Sequence, residues 1–193
     1  MQWVPFLLYV FVTSFTPGPN NFISMTSAAK VGFRKTLWFI LGVTTGTTVI
    51  ALMSSYFHLL LSGFLPKMKT AMSILGALYL VYLAVKIMTS RSEKNDLHEE
   101  KTYSFFTGFL LQFINPKAIL YGITAISSFV IPFYQSQISL IFFSFFLGFV
   151  GFLSTSSWAS FGALFHTWIS KHERVFNIGM GVLLLYSAVF IFI

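Results

Sequence analysis

The sequence predicts an all-α membrane protein. We expect six transmembrane helices in two inverted three-helix repeats, with helices one and four broken at Pro. Of the 193 residues, 56% are hydrophobic and 9% are charged, whereas roughly a quarter of the residues in an ordinary soluble domain are charged. Apolar stretches of about 20 residues, long enough to cross a bilayer, recur six times. Proline-containing segments interrupt the first and the fourth of these stretches.

The six spans account for most of the chain length. We therefore expect one transmembrane domain over residues 1–193, with no separate soluble domain. Repeat one covers about 1–89, a polar linker about 90–102, and repeat two about 103–193. The linker mixes acidic and basic residues, which is typical of a solvated segment rather than an interaction site. The predicted spans are about 3–27, 37–62, 68–89, 104–131, 138–166 and 174–193.

The distribution of basic residues predicts the orientation in the membrane. Nine of the twelve Lys and Arg residues fall in the first, third and fifth loops, two fall in the second, and none in the fourth. The positive-inside rule places the odd loops, including the linker, in the cytoplasm and both termini outside. We attribute the formal charge of +7 to this orientation and expect no nucleic-acid partner. The first basic residue, Lys30, follows the first apolar run, so we expect no signal peptide.

Short sequence echoes relate the two halves of the chain. Because each half has three spans, the second copy must insert upside down, which gives an inverted-topology repeat. Proline-interrupted helices at matching places in both halves point to the binding site of a transporter. The echoes, in chain order, are Phe15-Thr16-Pro17 with Ile114-Asn115-Pro116, Leu41-Gly42 with Leu147-Gly148, and Tyr82-Leu83-Ala84-Val85 with Tyr186-Ser187-Ala188-Val189.

The first break is the run Thr16-Pro17-Gly18-Pro19-Asn20-Asn21. Pro17 and Pro19 lack the N–H groups that would bond the carbonyls of Thr13 and Phe15, and their rings clash with the preceding turn. In lipid an unbonded carbonyl costs several kcal/mol, so such a break persists only where protein, water or a ligand meets the freed groups. We therefore expect the functional site at this run.

The second break carries Lys117, which follows Pro116 near the middle of the fourth span. A lysine at the bilayer centre costs about 2.5–3.5 kcal/mol on insertion scales, and all five acids lie in predicted loops. Its ammonium must therefore find carbonyls, water or an anionic ligand. Pro116 also frees the carbonyl of Gln112, while Gln112 and Asn115 supply amides. The alternative, a snorkelling lysine, is disfavoured by the mid-span position.

Asparagines at both breaks are good N-cap residues, so we expect them to start the second half-helices. A capped helix N-terminus directs N–H groups and partial positive charge into the membrane interior. With Lys117 donating and freed carbonyls accepting, such a site suits a zwitterionic amino acid. Nothing in the sequence shows that the two breaks touch. The predicted substrate-binding residues are Pro17, Gly18, Pro19, Asn20, Asn21, Gln112, Asn115, Pro116 and Lys117.

Other residue patterns favour structural roles. The spacing Gly42-x-x-x-Gly46 indicates close helix packing, and Ser154-Thr155-Ser156-Ser157 either lines a cavity or bonds between helices. The spans lack acids, cysteine and paired histidines, so we expect no catalytic residues, no metal and no cofactor, and disfavour a membrane-embedded enzyme. A non-transporting scaffold also stays open, but it would leave the two breaks and Lys117 unexplained.

Four segments together resemble the LysE/RhtB-type amino-acid exporter family. The first break matches the hallmark motif near the N-terminus of that family, and the resemblance covers the whole chain. Within the family, the chain is most similar to the cysteine and O-acetylserine exporters, through Asn20-Asn21 and residues 119–130. The four segments are Thr16-Pro17-Gly18-Pro19-Asn20, Gly32-Phe33-Arg34, Gly76-Ala77-Leu78-Tyr79-Leu80 and Gln112-Phe113-Ile114-Asn115-Pro116-Lys117.

The resemblance implies an exporter in the bacterial inner membrane that is driven by an ion gradient. Its implied substrates are small neutral amino acids or their derivatives, foremost cysteine and O-acetylserine. Substrates of the threonine, homoserine or lysine type stay open as alternatives. The coupling ion also stays open, as does the oligomeric state, for which a homo-oligomer is one alternative. The expected partners are the amino-acid substrate and the lipid bilayer.

Overall fold

The computed structural model describes residues 2–89 and 104–190, apart from the side chains of 58–69, 72 and 190. Every regular element in these ranges is helical, so the predicted all-α class is confirmed. The predicted linker at about 90–102 lies outside the described residues. In chain order the elements are α1 Trp3–Phe15, α2 Pro19–Val31, α3 Phe33–Tyr56, α4 His58–Thr89, α5 Phe105–Ile114, α6 Pro116–Thr124, a π-helix Ala125–Val130, α7 Gln137–Leu164, α8 His166–Lys171 and α9 Glu173–Phe190.

Two of the described helices, α3 with 24 residues and α7 with 28, are long and apolar enough to cross a membrane by themselves. A third candidate span is the pair formed by α5 and the segment Pro116–Val130, which is bent by 71° at the break between them. Helix α1 and the segment Ser73–Thr89 are apolar but shorter. Large apolar side chains also cover the exterior, for example Phe106 at 72% and Ile138 at 83% exposed. Such a surface suits lipid rather than water.

The boundary between the predicted second and third spans was wrong. The prediction ended the second span at about residue 62 and began the third at about 68. The structure ends α3 at Tyr56, turns at Phe57 and continues as one helix from His58 to Thr89. Lys67 and Lys69, predicted in a loop, therefore lie on α4. Leu59, Leu60 and Leu61 continue the apolar run beyond Phe57, and the stronger breaking signals of Gly63, Pro66 and Lys67 come later, so the sequence placed the boundary too late.

Helix α3 lies at the centre of the packing and contacts α5, α7, α2 and α6. Its crossing with α5 brings backbone against backbone. A Cβ atom on Gly42 would collide with the carbonyl oxygen of Phe105, and one on Gly108 would collide with that of Phe39. Small residues at a helix crossing allow this approach in membranes. The close packing predicted from Gly42-x-x-x-Gly46 is thereby confirmed.

Two apolar cores flank this centre. The first joins α1, α6, the π-helix and α7 around Phe6, Ile126 and Leu147, each fully buried. The second joins α2, α4, α8 and α9 around Met25 and Leu184. Helix α4 makes its main contact with α9. The chain segment between α1 and α2 contacts both α6 and α9, and the polar groups described next belong to that region.

Candidate functional site

The first interruption lies between Phe15, where α1 ends, and Pro19, where α2 begins. Thr16 and Gly18 have extended backbones, and Gly18 is the N-cap of α2 without a side-chain cap. Pro19 occupies the first helical position, where a missing N–H costs nothing and the proline φ already suits a helix. Asn20 and Asn21 follow within the first turn. The prediction that these two asparagines cap the helix was wrong, because the helix begins before them.

The second interruption is a single residue, Asn115, between α5 and α6. Its side-chain oxygen accepts a hydrogen bond from the backbone N–H of Lys117 at 3.1 Å. The predicted N-cap role of Asn115 is therefore confirmed. Pro116 again takes the first helical position. The 71° bend at this point turns α6 away from the axis of α5.

Amide side chains join the two interruptions, which are almost a hundred residues apart in sequence. Asn20 Nδ2 donates to Gln112 Oε1 at 2.8 Å, and Gln112 Nε2 donates to Asn20 Oδ1 at 3.2 Å. Asn115 Nδ2 donates to the same Asn20 oxygen at 3.3 Å. Gln112 is fully buried, and it fits beside α3 because Gly46 has no side chain there: a Cβ at Gly46 would lie 2.6 Å from Gln112 Cγ. The structure thus brings together the two breaks that the sequence could not connect.

The ammonium of Lys117 is the second link between the breaks. Its Nζ donates to the carbonyl oxygens of Thr16 at 2.9 Å and Pro17 at 3.2 Å, and to the Thr16 hydroxyl at 3.0 Å. These are three neutral oxygens for the three donors of an ammonium group. The lysine stem lies against Gly18, where an added Cβ would be 3.1 Å from Nζ and 3.2 Å from Cδ.

The carbonyls that accept from Lys117 at the first break differ from the two that were predicted to be free. The Thr13 carbonyl accepts from the Thr16 hydroxyl at 2.9 Å, and the Phe15 carbonyl accepts from Trp158 Nε1 at 3.2 Å. The lysine ammonium bonds the carbonyls of Thr16 and Pro17 instead. Sequence reasoning counted only the acceptors opposite each proline. Because α1 ends rather than kinks, the carbonyls beyond its last turn are released as well.

Helix α7 contributes polar groups from the Ser154-Thr155-Ser156-Ser157 run. Ser154 Oγ donates to the Ser14 carbonyl at 2.7 Å and to Asn21 Oδ1 at 3.2 Å. Asn21 Nδ2 donates to the Ser14 and Thr16 carbonyls at 2.8 and 3.0 Å. Ser154 and Thr155 also line a cavity at this point. Interhelical hydrogen bonding is therefore confirmed for Ser154 and cavity lining for Ser154 and Thr155, whereas the hydroxyls of Thr155 and Ser157 bond carbonyls of their own helix.

Two cavities meet at Lys117. The smaller, about 50 Å³, lies between the two breaks, α3 and α7. The larger, about 420 Å³, is bordered by α1, α4, α6 and α9. Three side chains border both: Thr13, Lys117 and Tyr121.

Sequence reasoning missed three of the polar residues around the first break. Tyr121 lies one helical turn after Lys117, a spacing that puts both on one face and could have identified it. Ser187 of α9 donates to the Pro17 carbonyl at 3.0 Å; its place in the Tyr186-Ser187-Ala188-Val189 echo was the available signal. Thr13 carries no distinguishing pattern.

The site combines one cationic donor, several amide and hydroxyl groups, and backbone carbonyls. Such a set can bind a small molecule that carries both charges. Within the described ranges, no group of three or more His, Asp or Glu residues is placed to hold a metal ion.

Comparison with known proteins identifies the family. Residues 11–193 match the LysE type translocator family. The chain belongs to that family. It is 37% identical over 187 residues, 97% of its length, to the cysteine/O-acetylserine efflux proteins of Escherichia coli (strain K12), Escherichia coli O139:H28 (strain E24377A / ETEC) and Shigella sonnei (strain Ss046), and the match covers 95% of each relative. No solved structure matches this chain. Membership of a translocator family, together with the apolar helices, makes this LysE type translocator a membrane transport protein rather than an enzyme.

Proposed function

We propose that this LysE type translocator exports small neutral amino acids or their derivatives, foremost cysteine and O-acetylserine, across the bacterial inner membrane by secondary transport. The efflux proteins to which it is 37% identical carry those two substrates in their names. One structural observation supports the proposal more than any other. The ammonium of Lys117, at one helix interruption, bonds the Thr16 and Pro17 carbonyls at the other, so the donors and the acceptors that a zwitterion needs lie in one place.

Lys117 is the proposed partner of the substrate carboxylate. Its three donors now meet neutral oxygens, and a carboxylate is a stronger acceptor because charge-assisted hydrogen bonds are roughly twice as strong as neutral ones. A zwitterionic amino acid can replace both partners of the present Lys117–carbonyl contact. Its carboxylate takes the lysine ammonium, and its own ammonium takes the carbonyls of Thr16 and Pro17 that the lysine leaves.

The other predicted site residues divide into two roles in this proposal. Pro17, Gly18, Pro19 and Pro116 shape the backbone, because they end one helix, begin the next and leave room for the lysine stem. The four amide residues hold the two interruptions together or face the smaller cavity. They are Asn20, Asn21, Gln112 and Asn115.

We also propose that the chain forms six transmembrane spans in two inverted repeats, with spans one and four broken at proline, the linker at about 90–102 in the cytoplasm and both termini outside. The described elements support this arrangement by their order. A pair of short helices interrupted at proline precedes a long helix in each half, and a further long helix follows. Corresponding helices also pack together, α3 with α7 and α4 with α9.

Transport into inverted membrane vesicles tests the export proposal. Vesicles that contain the protein should accumulate labelled O-acetylserine and cysteine when an ion gradient is imposed, and control vesicles without it should not. Competition with unlabelled threonine, homoserine and lysine then ranks the alternative substrates. No accumulation of either proposed substrate, or stronger competition by lysine than by cysteine, would contradict the proposal.

A further inference from the structure

The larger of the two cavities has the size of a substrate site. The smaller cavity, about 50 Å³, is well below the usual size of small-molecule sites. The cavity of about 420 Å³ falls within the usual range for small-molecule sites, roughly 300–1,000 Å³. Lys117 borders both. A carboxylate bound to Lys117 therefore leaves the rest of an amino acid only one place with enough room, the larger cavity.

Hydroxyl groups dominate the lining of this cavity. Eight of its twelve lining side chains carry a hydroxyl, among them Tyr9, Thr124 and Ser187. Lys117 is the one charged residue of the lining. A substrate with a cationic side chain would find no counter-charge among these residues, and burying an unpaired charge is costly. The lining therefore suits a neutral, hydrogen-bonding side chain.

Tyr121 borders this cavity, and its buried hydroxyl lacks a hydrogen-bond partner within the described part of the chain. Its side chain is 5% exposed. Its hydroxyl lies near the side chain of Ser14, which lines only the smaller of the two cavities, but makes no hydrogen bond of acceptable distance and angle within the described part of the chain. The hydroxyl has almost no exposed surface, so a ligand must displace a neighbouring group to accept from it. A buried hydroxyl without a partner is unfavourable, so a ligand atom that accepts from it gains affinity.

The ring of Tyr121 is held by its neighbours. It stacks on Tyr9, with ring centroids 6.2 Å apart, and Tyr9 stacks on Phe129 at 5.4 Å. Phe129 belongs to the π-helix that follows α6 directly, and π-helical turns are frequent at functional sites. Tyr121 follows Lys117 by four residues, a separation of about 6 Å along the helix axis. A small amino acid spans this distance between its carboxylate and the end of its side chain.

We propose that the side chain of the transported amino acid lies in the larger cavity and accepts a hydrogen bond from the Tyr121 hydroxyl, so that the protein selects neutral side chains with an acceptor atom. This selection rests on the proposed export function and on Lys117 as the carboxylate partner. An ester carbonyl or a hydroxyl oxygen fits the position well, and a thiol sulfur is a weaker acceptor.

The Tyr121→Phe variant tests the assignment, because it removes the hydroxyl and keeps the stacked ring. Inverted vesicles receive O-acetylserine, whose side chain has an acceptor, and 2-aminobutyrate, whose side chain has none. The ratio of the two initial rates does not depend on the amount of protein. We expect the preference for O-acetylserine to fall about tenfold in Tyr121→Phe, as for one lost hydrogen bond, and to stay at the wild-type value in Tyr134→Phe, whose ring borders neither cavity.

A second measurement tests whether the substrate binds in the larger cavity. It does not depend on whether Tyr121→Phe inserts into the membrane. Thr124 lines only the larger of the two cavities, and the chain contains no cysteine. A Thr124→Cys variant should react with a small methanethiosulfonate reagent, and O-acetylserine should slow that reaction.

These measurements distinguish a wrong assignment of Tyr121 from a wrong export function. An unchanged substrate preference in Tyr121→Phe, or full reactivity of Thr124→Cys under saturating O-acetylserine, overturns the assignment while wild-type transport stands. If wild-type vesicles transport neither substrate, the export function itself fails, and the assignment fails with it.

Discussion

Lys117 Nζ lies 2.9 Å from the carbonyl oxygen of Thr16, which precedes it by 101 residues in the sequence. This contact joins two helix interruptions that proline creates independently in each half of the chain. The carbonyl is available because α1 ends at Phe15, and the ammonium reaches it because Gly18 leaves space for the lysine stem. The position of the cation thus depends on both interruptions together.

The space at Gly18 gives a first prediction. An alanine there would place its Cβ 3.1 Å from Lys117 Nζ and 3.2 Å from Cδ, closer than side chains normally pack. We expect Gly18→Ala to insert normally but to lower transport several-fold, because the ammonium is pushed from the Thr16 and Pro17 carbonyls. Uptake by inverted vesicles measures this. Gly179→Ala is the control, since a Cβ there meets no atom within 4 Å. Equal rates for the two variants would show that the lysine tolerates displacement.

The double change Pro17→Ala with Pro19→Ala tests the first interruption itself. Two alanines restore the missing N–H groups and permit α1 to continue into α2. We expect normal expression and insertion with transport lost, because a continuous helix takes up the carbonyls that Lys117 now bonds. Export at the wild-type rate from a well-expressed double variant would show that the interruption has only a structural role.

The crossing of α3 and α5 is expected to control stability. A Cβ on Gly108 would collide with the Phe39 carbonyl oxygen, and overpacking typically costs about 1–3 kcal/mol. Gly108→Ala should therefore unfold at a lower temperature in detergent than the wild type, whereas Gly179→Ala should unfold close to it. An unchanged unfolding temperature for Gly108→Ala would mean that the two helices separate at little cost.

Topology can be tested in this cysteine-free chain. Ser136 and Ser170 are exposed residues near opposite ends of α7, and α7 is long enough to cross the membrane. We expect an impermeant thiol reagent added to intact cells to label Ser136→Cys but not Ser170→Cys. The reverse pattern would overturn the positive-inside assignment and place both termini in the cytoplasm.

Much of this architecture could be predicted from the sequence because membrane insertion leaves strong signals. Long apolar stretches indicate spans, and proline excludes helix locally, so both interruptions and the N-cap at Asn115 were predictable. The turn at Phe57 was not, because the apolar run continues through Leu61 and the glycine and proline that suggest a boundary come only at Gly63 and Pro66. The roles of Asn20 and Asn21 could not be predicted either. The exact start of α2 decides whether an asparagine caps the helix or faces another segment.

Contacts between distant segments were beyond sequence reasoning. The pairing of Asn20 with Gln112 depends on how α2 and α5 cross α3, and that crossing depends on backbone contacts at Gly42 and Gly108. A pattern of small residues indicates that helices approach closely, but it does not indicate which helices meet. The same holds for Ser154 and Ser187, which reach the first interruption from α7 and α9.

The central claim is that Lys117 binds the carboxylate of the substrate. Losing a hydrogen bond to a charged group costs about 1.5–3 kcal/mol, so Lys117→Ala should weaken substrate binding by that amount. Lys117→Arg keeps the charge on a larger head and should retain part of the activity. Lys117→Gln should behave nearly like Lys117→Ala. Lys35→Ala is the matched control, since it removes an exposed lysine from the start of α3.

The most direct measurement compares the binding of O-acetylserine with that of its carboxyl-amidated analogue, in the wild type and in Lys117→Ala. Amidation removes the negative charge and leaves the remainder of the molecule intact. The wild type and Lys35→Ala should prefer the free carboxylate, and Lys117→Ala should lose most of that preference. An undiminished preference in Lys117→Ala would contradict the claim and remove Lys117 from the substrate site.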